Sequence, residues 1–531
     1  MAASRSIVAH RLRGFVPSFS DHSTSRQPQF NTLTATADDL QLKLTKGFIK
    51  STQIVEEYQR SIVAHNAALD AVYELCSGAM KRAEEMDRMR AEGTILGPLH
   101  GIPVLDNMNL GPAFGLPTTA GALALANAMP SSSATIVEKL LAAGAIIIGK
   151  ATMSEMAFFK GTGIRCGWSA VAGHAQSAYV RGGLDMEDSI VGHSSPSGSS
   201  SGSAIAVSAG LVTLALGSET FGSLVNPAQR AALFTIKPTL GTIPGYGIVP
   251  ISKSYDTAGP LAKSPKDLAD LFTILVDKSK TEVPNGGYAS CLTGSWADIK
   301  VGTLDPEFLH MSGHVIKPVE EATKQIDRET RAAYEKIRSL AKTYHEDISQ
   351  MLSDHEFQLN GKDALTEILA FDMEADLNSY LKDLAFSQVR SLKELVDWNC
   401  EHSDKALTQE YPNQDLLVLA LNADHDKERR QILQTHIESA ADKFLDLFIK
   451  YDVDVIMAPS DSGLYNFSAA GGFPIATLPI SCIDFNGRPF GLTIAAPPHK
   501  EAMLFKAMHA WETTFPSRQP PKAYVSLRPI D

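Results

Sequence analysis

Two hydrophobic periods alternate along this chain. Leu40 and Leu44 lie four apart, and Ile54, Val55, Tyr58 and Ile62 share one face of a helix that Ser51 is placed to cap. A highly charged helix is expected over Ala79–Arg90, and another carrying Ile136, Val137, Leu140 and Leu141. Directly after it, Gly144 to Lys150 reads as a helix stop, a wholly apolar strand and a turn. A helix feeding such a strand is the unit of a parallel sheet with helices packed on it. Helical spacing returns at Ala332, Ile337 and Leu340, and at Leu365, Ile368 and Leu369. Asp452 to Pro459 alternates into a strand, and Glu501–Phe515 is the last helix. Residues 1 to about 34 have no clear period.

One stretch breaks the pattern. From Pro196 to Pro238 a Gly/Ser loop opens into an apolar run, which leads to a second Gly/Ser turn. Ser199 sits in the first turn and Ser223, 24 positions later, in the second. Small residues let backbone N–H groups close on a substrate oxygen. A flexible surface loop has the same composition, but the apolar segment between the serines predicts that a core holds both turns.

Composition narrows the partners. The 531 residues are 44% hydrophobic and 20% charged, with a net charge of −12. That balance argues against a nucleic-acid binder, whose face would be basic, and suits a small, largely neutral partner. Five scattered cysteines have no metal spacing and read as reduced thiols. No apolar run reaches the roughly 18 residues of a membrane span. The N-terminus carries arginines and serines with no acid before Asp21. A disordered tail on a cytoplasmic protein is the reading adopted, with a mitochondrial presequence as the other.

The two serine turns resemble the amidase signature family. Gly198-Ser199-Ser200-Ser201-Gly202-Ser203 matches its Gly/Ser loop, and Gly217-Ser218-Glu219-Thr220-Phe221-Gly222-Ser223 its second turn. Ile236-Lys237-Pro238-Thr239-Leu240-Gly241 follows without a gap. Gly97-Pro98-Leu99-His100-Gly101-Ile102-Pro103-Val104-Leu105, Pro117–Gly121, Ser254–Pro260 and Gly487–Leu492 resemble further family segments in order. His100, Lys150 and Asp256 match scaffold positions and are read as structural. The resemblance implies an α/β amidase-signature fold: a single large domain, residues 36–515, with a mixed central β-sheet covered by α-helices. Residues 280–450 would form a variable helical substrate cap. Residues 1–35 are expected to be disordered, and 516–531 to be a tail.

The resemblance implies that Ser223 is the nucleophile. Ser199 would be the relay serine, held by a cis peptide bond to its neighbour. Backbone N–H groups of Thr220, Phe221, Gly222 and Ser223 would form the oxyanion hole. It also implies a lysine base two residues after Leu105, and here the chain departs. Asn107 stands at that position in Val104-Leu105-Asp106-Asn107-Met108-Asn109. An amide has donors and an acceptor but no useful basicity.

Two replacement bases suggest themselves. His193 lies six residues before Ser199, in an apparent insert around Arg181–Ser195 that otherwise reads as a solvated charged loop. Asp106 is the other, although a strand neighbour of the lost lysine should face the opposite way unless a bulge intervenes. Phe221 stands where the family has Asp or Gly, and its ring would narrow the oxyanion pocket.

The function expected is an amidase-like serine hydrolase of a small-molecule amide or ester, with an altered or impaired base. A catalytically reduced protein with a binding role, and a non-hydrolytic enzyme of small-molecule biosynthesis on the same fold, are the other readings. No metal, organic cofactor, nucleic acid or membrane is expected, and the chain would be a monomer or homodimer.

Overall fold

Eleven strands build one mixed sheet in the computed structural model, which describes residues 28–111, 115–308, 311–353, 355–423 and 426–522. In chain order they are β1 (Val72–Leu75), β2 (Pro103–Asn107), β3 (Ile146–Ala151), β4 (Leu214–Glu219), β5 (Phe234–Lys237), β6 (Thr257–Ala262), β7 (Lys300–Thr303), β8 (Thr343–His345), β9 (Val455–Pro459), β10 (Ile475–Cys482) and β11 (Pro489–Ala495). Their order across the sheet is β1-β3-β2-β4-β6-β5-β10-β11-β9-β7-β8. β2 runs parallel to both β3 and β4, while β6, β5, β10 and β11 alternate in direction.

Both faces of the central strands are covered, so their residues are buried without alternation, as in Ile146-Ile147-Ile148. The Ser201–Ser208 helix is buried along its whole length, which explains a sequence made only of small and apolar residues. The helices expected from periodicity form over Ala37–Thr45, Ser51–Leu69, Ala79–Ala91, Thr135–Ala142 and Glu501–Thr514.

Three expectations change. Ser51 is the first helical residue rather than the cap, and Asp87 of the next helix accepts the Ser51 and Thr52 N–H groups at 2.6 and 3.1 Å. Residues 28–35 pack onto the core through Phe30 and Leu33, and Lys263 donates to the Thr32 and Ala35 carbonyls; residues 1–27 and 523–531 lie outside those described. The 280–450 region is not all helical: β7 and β8 extend the main sheet, and Glu320–Arg338 packs on the main core through Ala333, Tyr334 and Ile337. The separate helical layer is Ala364–Lys382, Leu392–Glu401, Asp415–Leu421 and Lys427–Lys450, around its own apolar core.

Among the described residues no helix is long and apolar enough to cross a membrane.

His100 serves the scaffold. Its ring is buried, with Nε2 2.9 Å from the Met86 carbonyl and Nδ1 accepting from the Leu96 N–H. Gly101 beside it has φ +82°, and a Cβ there would lie 2.0 Å from Ser51 Oγ.

Candidate active site

Backbone contacts set the first serine turn. The Ser154 N–H donates to the Ser199 carbonyl at 3.0 Å, and Ser154 Oγ accepts from the Gly167 N–H at 2.8 Å. The Gly198–Ser199 peptide bond is cis. Gly202 donates to the Thr152 carbonyl, and a Cβ on it would stand 2.3 Å from the Ala71 oxygen. Only glycine permits that approach.

The second turn is bound to the first. Ser200 Oγ bridges Ser218, donating to its carbonyl and accepting from its N–H, each at 3.1 Å. The Ser200 N–H donates to the Ser223 carbonyl at 3.2 Å. The buried Glu219 carboxylate takes the Leu224 and Val225 N–H groups at 2.6 and 3.1 Å. Burial raises its pKa, opposed by Lys237 and these donors; burial in turn lowers Lys237 to about 8. Thr220 Oγ1 donates to Asp256 at 2.7 Å, and the Ile251 and Ser252 N–H groups donate to the other oxygen of that carboxyl. Burial pushes Asp256 up to about 7.

The structure therefore brings Ser199 and Ser223 onto adjoining turns. Ser199 is fully buried, and its Oγ has no hydrogen-bond partner among the described residues. Ser223 is 8% exposed. The expected oxyanion donors lie in this second turn, Gly222 in its left-handed conformation at φ +78°. The N–H groups of Phe221 and Ser223 make no hydrogen bond among the described residues.

Register fixes the direction of Asn107. Leu105 lies opposite Ala215 on β4, which carries Asn107 to the level of Gly217. A Cβ on Gly217 would meet Ser200 Oγ at 2.6 Å, so Asn107 shares the face of the serine loop. Its amide oxygen and nitrogen are both buried without a partner among the described residues.

Asp106 points the other way. It pairs across β3 with Lys150, whose ammonium lies 3.2 Å from its carboxylate and also donates to the Asn107 and Leu110 carbonyls. The bulge in this pairing falls between Val104 and Leu105, before Asp106, and so does not turn it toward the serines. Burial raises the Asp106 pKa to about 6 and lowers that of Lys150.

His193 is also engaged elsewhere. Its Nδ1 lies 3.1 Å from an Arg488 nitrogen, and its carbonyl accepts from Asn486 at 2.9 Å. Burial first, then Arg488 and Arg230, pushes its pKa down to about 4. Among the described residues neither His193 nor Asp106 hydrogen-bonds to Ser199 or Ser223. The expected bases thus serve a loop anchor and a buried ion pair.

The insert around Arg181–Ser195 is tied down rather than loosely solvated. Asp188 accepts from the Ser189 and Ser194 N–H groups, and Val191 donates to the Val315 carbonyl. Arg230 donates to the Gly192 and Ser195 carbonyls and bonds Asp461 at 3.1 Å; Arg488 bonds the other Asp461 oxygen at 2.7 Å. Burial opposes its ionisation, yet Arg230 and Arg488 hold the Asp461 carboxyl far below the usual range. The sequence reading missed this network, because its members lie on three remote segments.

Phe221 stacks on Tyr465, ring centroids 6.5 Å apart and planes at 15°. Tyr465 also lies 3.3 Å from where a Cβ on Gly222 would be, so the pair flanks the second serine turn. Among the described residues no group of three or more His, Cys, Asp or Glu side chains is placed to hold a metal ion.

A mixed sheet with helices on both faces, with two linked serine turns beside it, defines an α/β protein. The amidase family model matches residues 53–505, and the chain belongs to the amidase family, whose members hydrolyse C–N bonds of amides. A probable amidase of Arabidopsis thaliana is 31% identical over 505 residues, covering 93% of this chain and 92% of the relative. Mandelamide hydrolase of Pseudomonas putida is 30% identical over 327 residues, 61% of this chain and 58% of that protein. Native peptide amidase from Stenotrophomonas maltophilia superposes with a TM-score of 0.79 at 30% identity, over 92% of this chain and 98% of the other.

Proposed function

We propose that this chain is an amidase-type serine hydrolase acting on a small-molecule amide or ester through an acyl-Ser223 intermediate. Ser223 Oγ attacks the carbonyl carbon, and its proton passes to Ser199. The proton of Ser199 goes to the leaving nitrogen or oxygen as the C–N or C–O bond breaks. Water then reverses the relay and frees the acid. The carbonyl oxygen draws its stabilisation from the unengaged Phe221 and Ser223 N–H groups. The observation that carries this reading is the Ser200 N–H to Ser223 carbonyl bond, which fixes both serine turns against each other. The name of the mandelamide hydrolase relative supports a small amide as substrate.

Asparagine stands at position 107, and among the described residues no basic side chain hydrogen-bonds to Ser199 Oγ. Loss of a positioned general base costs about 10² to 10⁴ in rate. A second reading, a binding role with reduced catalysis, is favoured by that same residue, whose amide atoms are both unpartnered.

Intact-mass spectrometry after incubation with a fluorophosphonate probe tests this. One adduct on the wild type and none on Ser223→Ala supports an activated Ser223. No adduct from a small probe on folded protein supports the binding role.

A further inference from the structure

One cavity lies away from the serines. It measures about 840 Å³ and opens between the loop from Trp168 to Met186 and the helical layer at Asp404–Glu410. Neither serine nor any residue from Thr220 to Gly222 lines it.

Its back wall is rigid. Trp168 and His174 pair in a two-residue ladder, and Trp168 packs against Tyr411 with ring centroids 4.7 Å apart. Lys160 sits over the indole but is neutralised by Glu155 at 2.8 Å, both fully buried. Leu184 and Met186 supply further apolar wall.

His174 gives the cavity a polar preference. Its side chain is only 9% exposed. Nε2 lies 3.3 Å from Glu410 Oε1 and 3.1 Å from the Tyr411 hydroxyl. A carboxylate only accepts, so Nε2 carries the hydrogen. Burial lowers the pKa of the ring, which keeps it neutral and leaves Nδ1 a bare lone pair. Nδ1 is buried with no partner among the described residues, and a buried acceptor in that state calls for a donor. Among the described residues Asp70, Asp404 and Glu410 line the cavity with one lining cation, Lys405, and the Arg165 charge also acts on His174.

We propose that this cavity is a binding site for an organic ammonium: an apolar small molecule carrying a primary amine, its N–H groups directed to His174 Nδ1 and to the Glu410 and Asp404 carboxylates. The apolar body rests on Trp168, Leu184 and Met186. The site spans the sheet-bearing scaffold and the helical layer, so a bound amine ties the two together. It is independent of the acyl-serine reading.

Isothermal titration calorimetry of the full chain with phenethylamine and its uncharged analogue 2-phenylethanol tests the site. Phenethylamine is expected to bind at least about tenfold more tightly than the alcohol, through charge-assisted hydrogen bonds. Glu410→Gln and Asp404→Asn, both at the exposed rim, should each weaken the amine severalfold and leave the alcohol unchanged. Ser223→Ala should bind the amine like the wild type. Equal affinity for amine and alcohol, no binding of the amine at millimolar concentration, indifference to both rim variants, or loss of binding in Ser223→Ala would each overturn the proposal.

Discussion

Asp106 and Lys150 face each other on neighbouring parallel strands, carboxylate to ammonium at 3.2 Å, with neither side chain exposed to solvent. Removing one member of such a pair leaves a buried charge uncompensated. Asp106→Asn is expected to lower the unfolding free energy by about 3–5 kcal/mol. The double variant Asp106→Leu/Lys150→Met should recover much of the loss. Urea unfolding of the wild type and the two variants measures this. Probe labelling of Ser223 in the folded fraction should be unchanged, because Asp106 faces away from the serine loop.

Asn107 occupies the serine-loop face with nothing bound to its amide. Asn107→Lys places a base there and is expected to raise the rate of probe labelling or of amide turnover by about 10² to 10⁴. Its pH–rate profile should gain a rising limb as the new ammonium loses its proton. Unchanged rate and profile in a folded Asn107→Lys protein would show that proton removal does not limit the reaction.

Phe221 stacks on Tyr465 two residues before Ser223. Phe221→Gly should open that side of the turn. Labelling by a series of probes with growing alkyl groups is expected to fall off steeply in the wild type and gently in the variant. Parallel size profiles would mean that the ring does not bound the substrate space.

His193 makes stability depend on acid. Its folded pKa, about 4, lies below the ordinary histidine value. Between the two values the unfolded chain binds the proton more readily, so stability is complete above about pH 6.5 and is lost as pH falls toward 4. Denaturant unfolding across that range should show the decline, on the order of 1–3 kcal/mol. His193→Asn should flatten it, since an amide does not titrate.

Where local pattern governs structure, the sequence was readable. Ile146–Ile148 announced a strand buried on both faces, and the glycines at 202 and 222 marked the close approaches around the serines. The amidase family itself was legible from motifs at both ends of the domain. Remote partners were harder. Strand alternation already set Asp106 on the face opposite Asn107, but its partner Lys150 follows only from the parallel register with β3. His193 looked available because it lies six residues from Ser199, but its partner Arg488 is 295 residues later. Glu219 stood inside a recognised motif, yet its work, gathering the N–H groups of its own turn, appears only in three dimensions. β7 and β8 escaped notice because strands of three or four residues amid helices carry little periodicity of their own.

The anchoring of the Arg181–Ser195 insert bears on the order in which this protein is made. The loop leading into Ser199 takes its hold from Asp461, Asn486 and Arg488. A ribosome has synthesised more than nine-tenths of the chain before Arg488 exists. Arg230 lacks its carboxylate until Asp461 is made, and His193 lacks its contacts until Asn486 and Arg488 follow, so the serine loop acquires its final outer support only then. A nascent or prematurely terminated chain ending before residue 488 therefore carries both serines without this support.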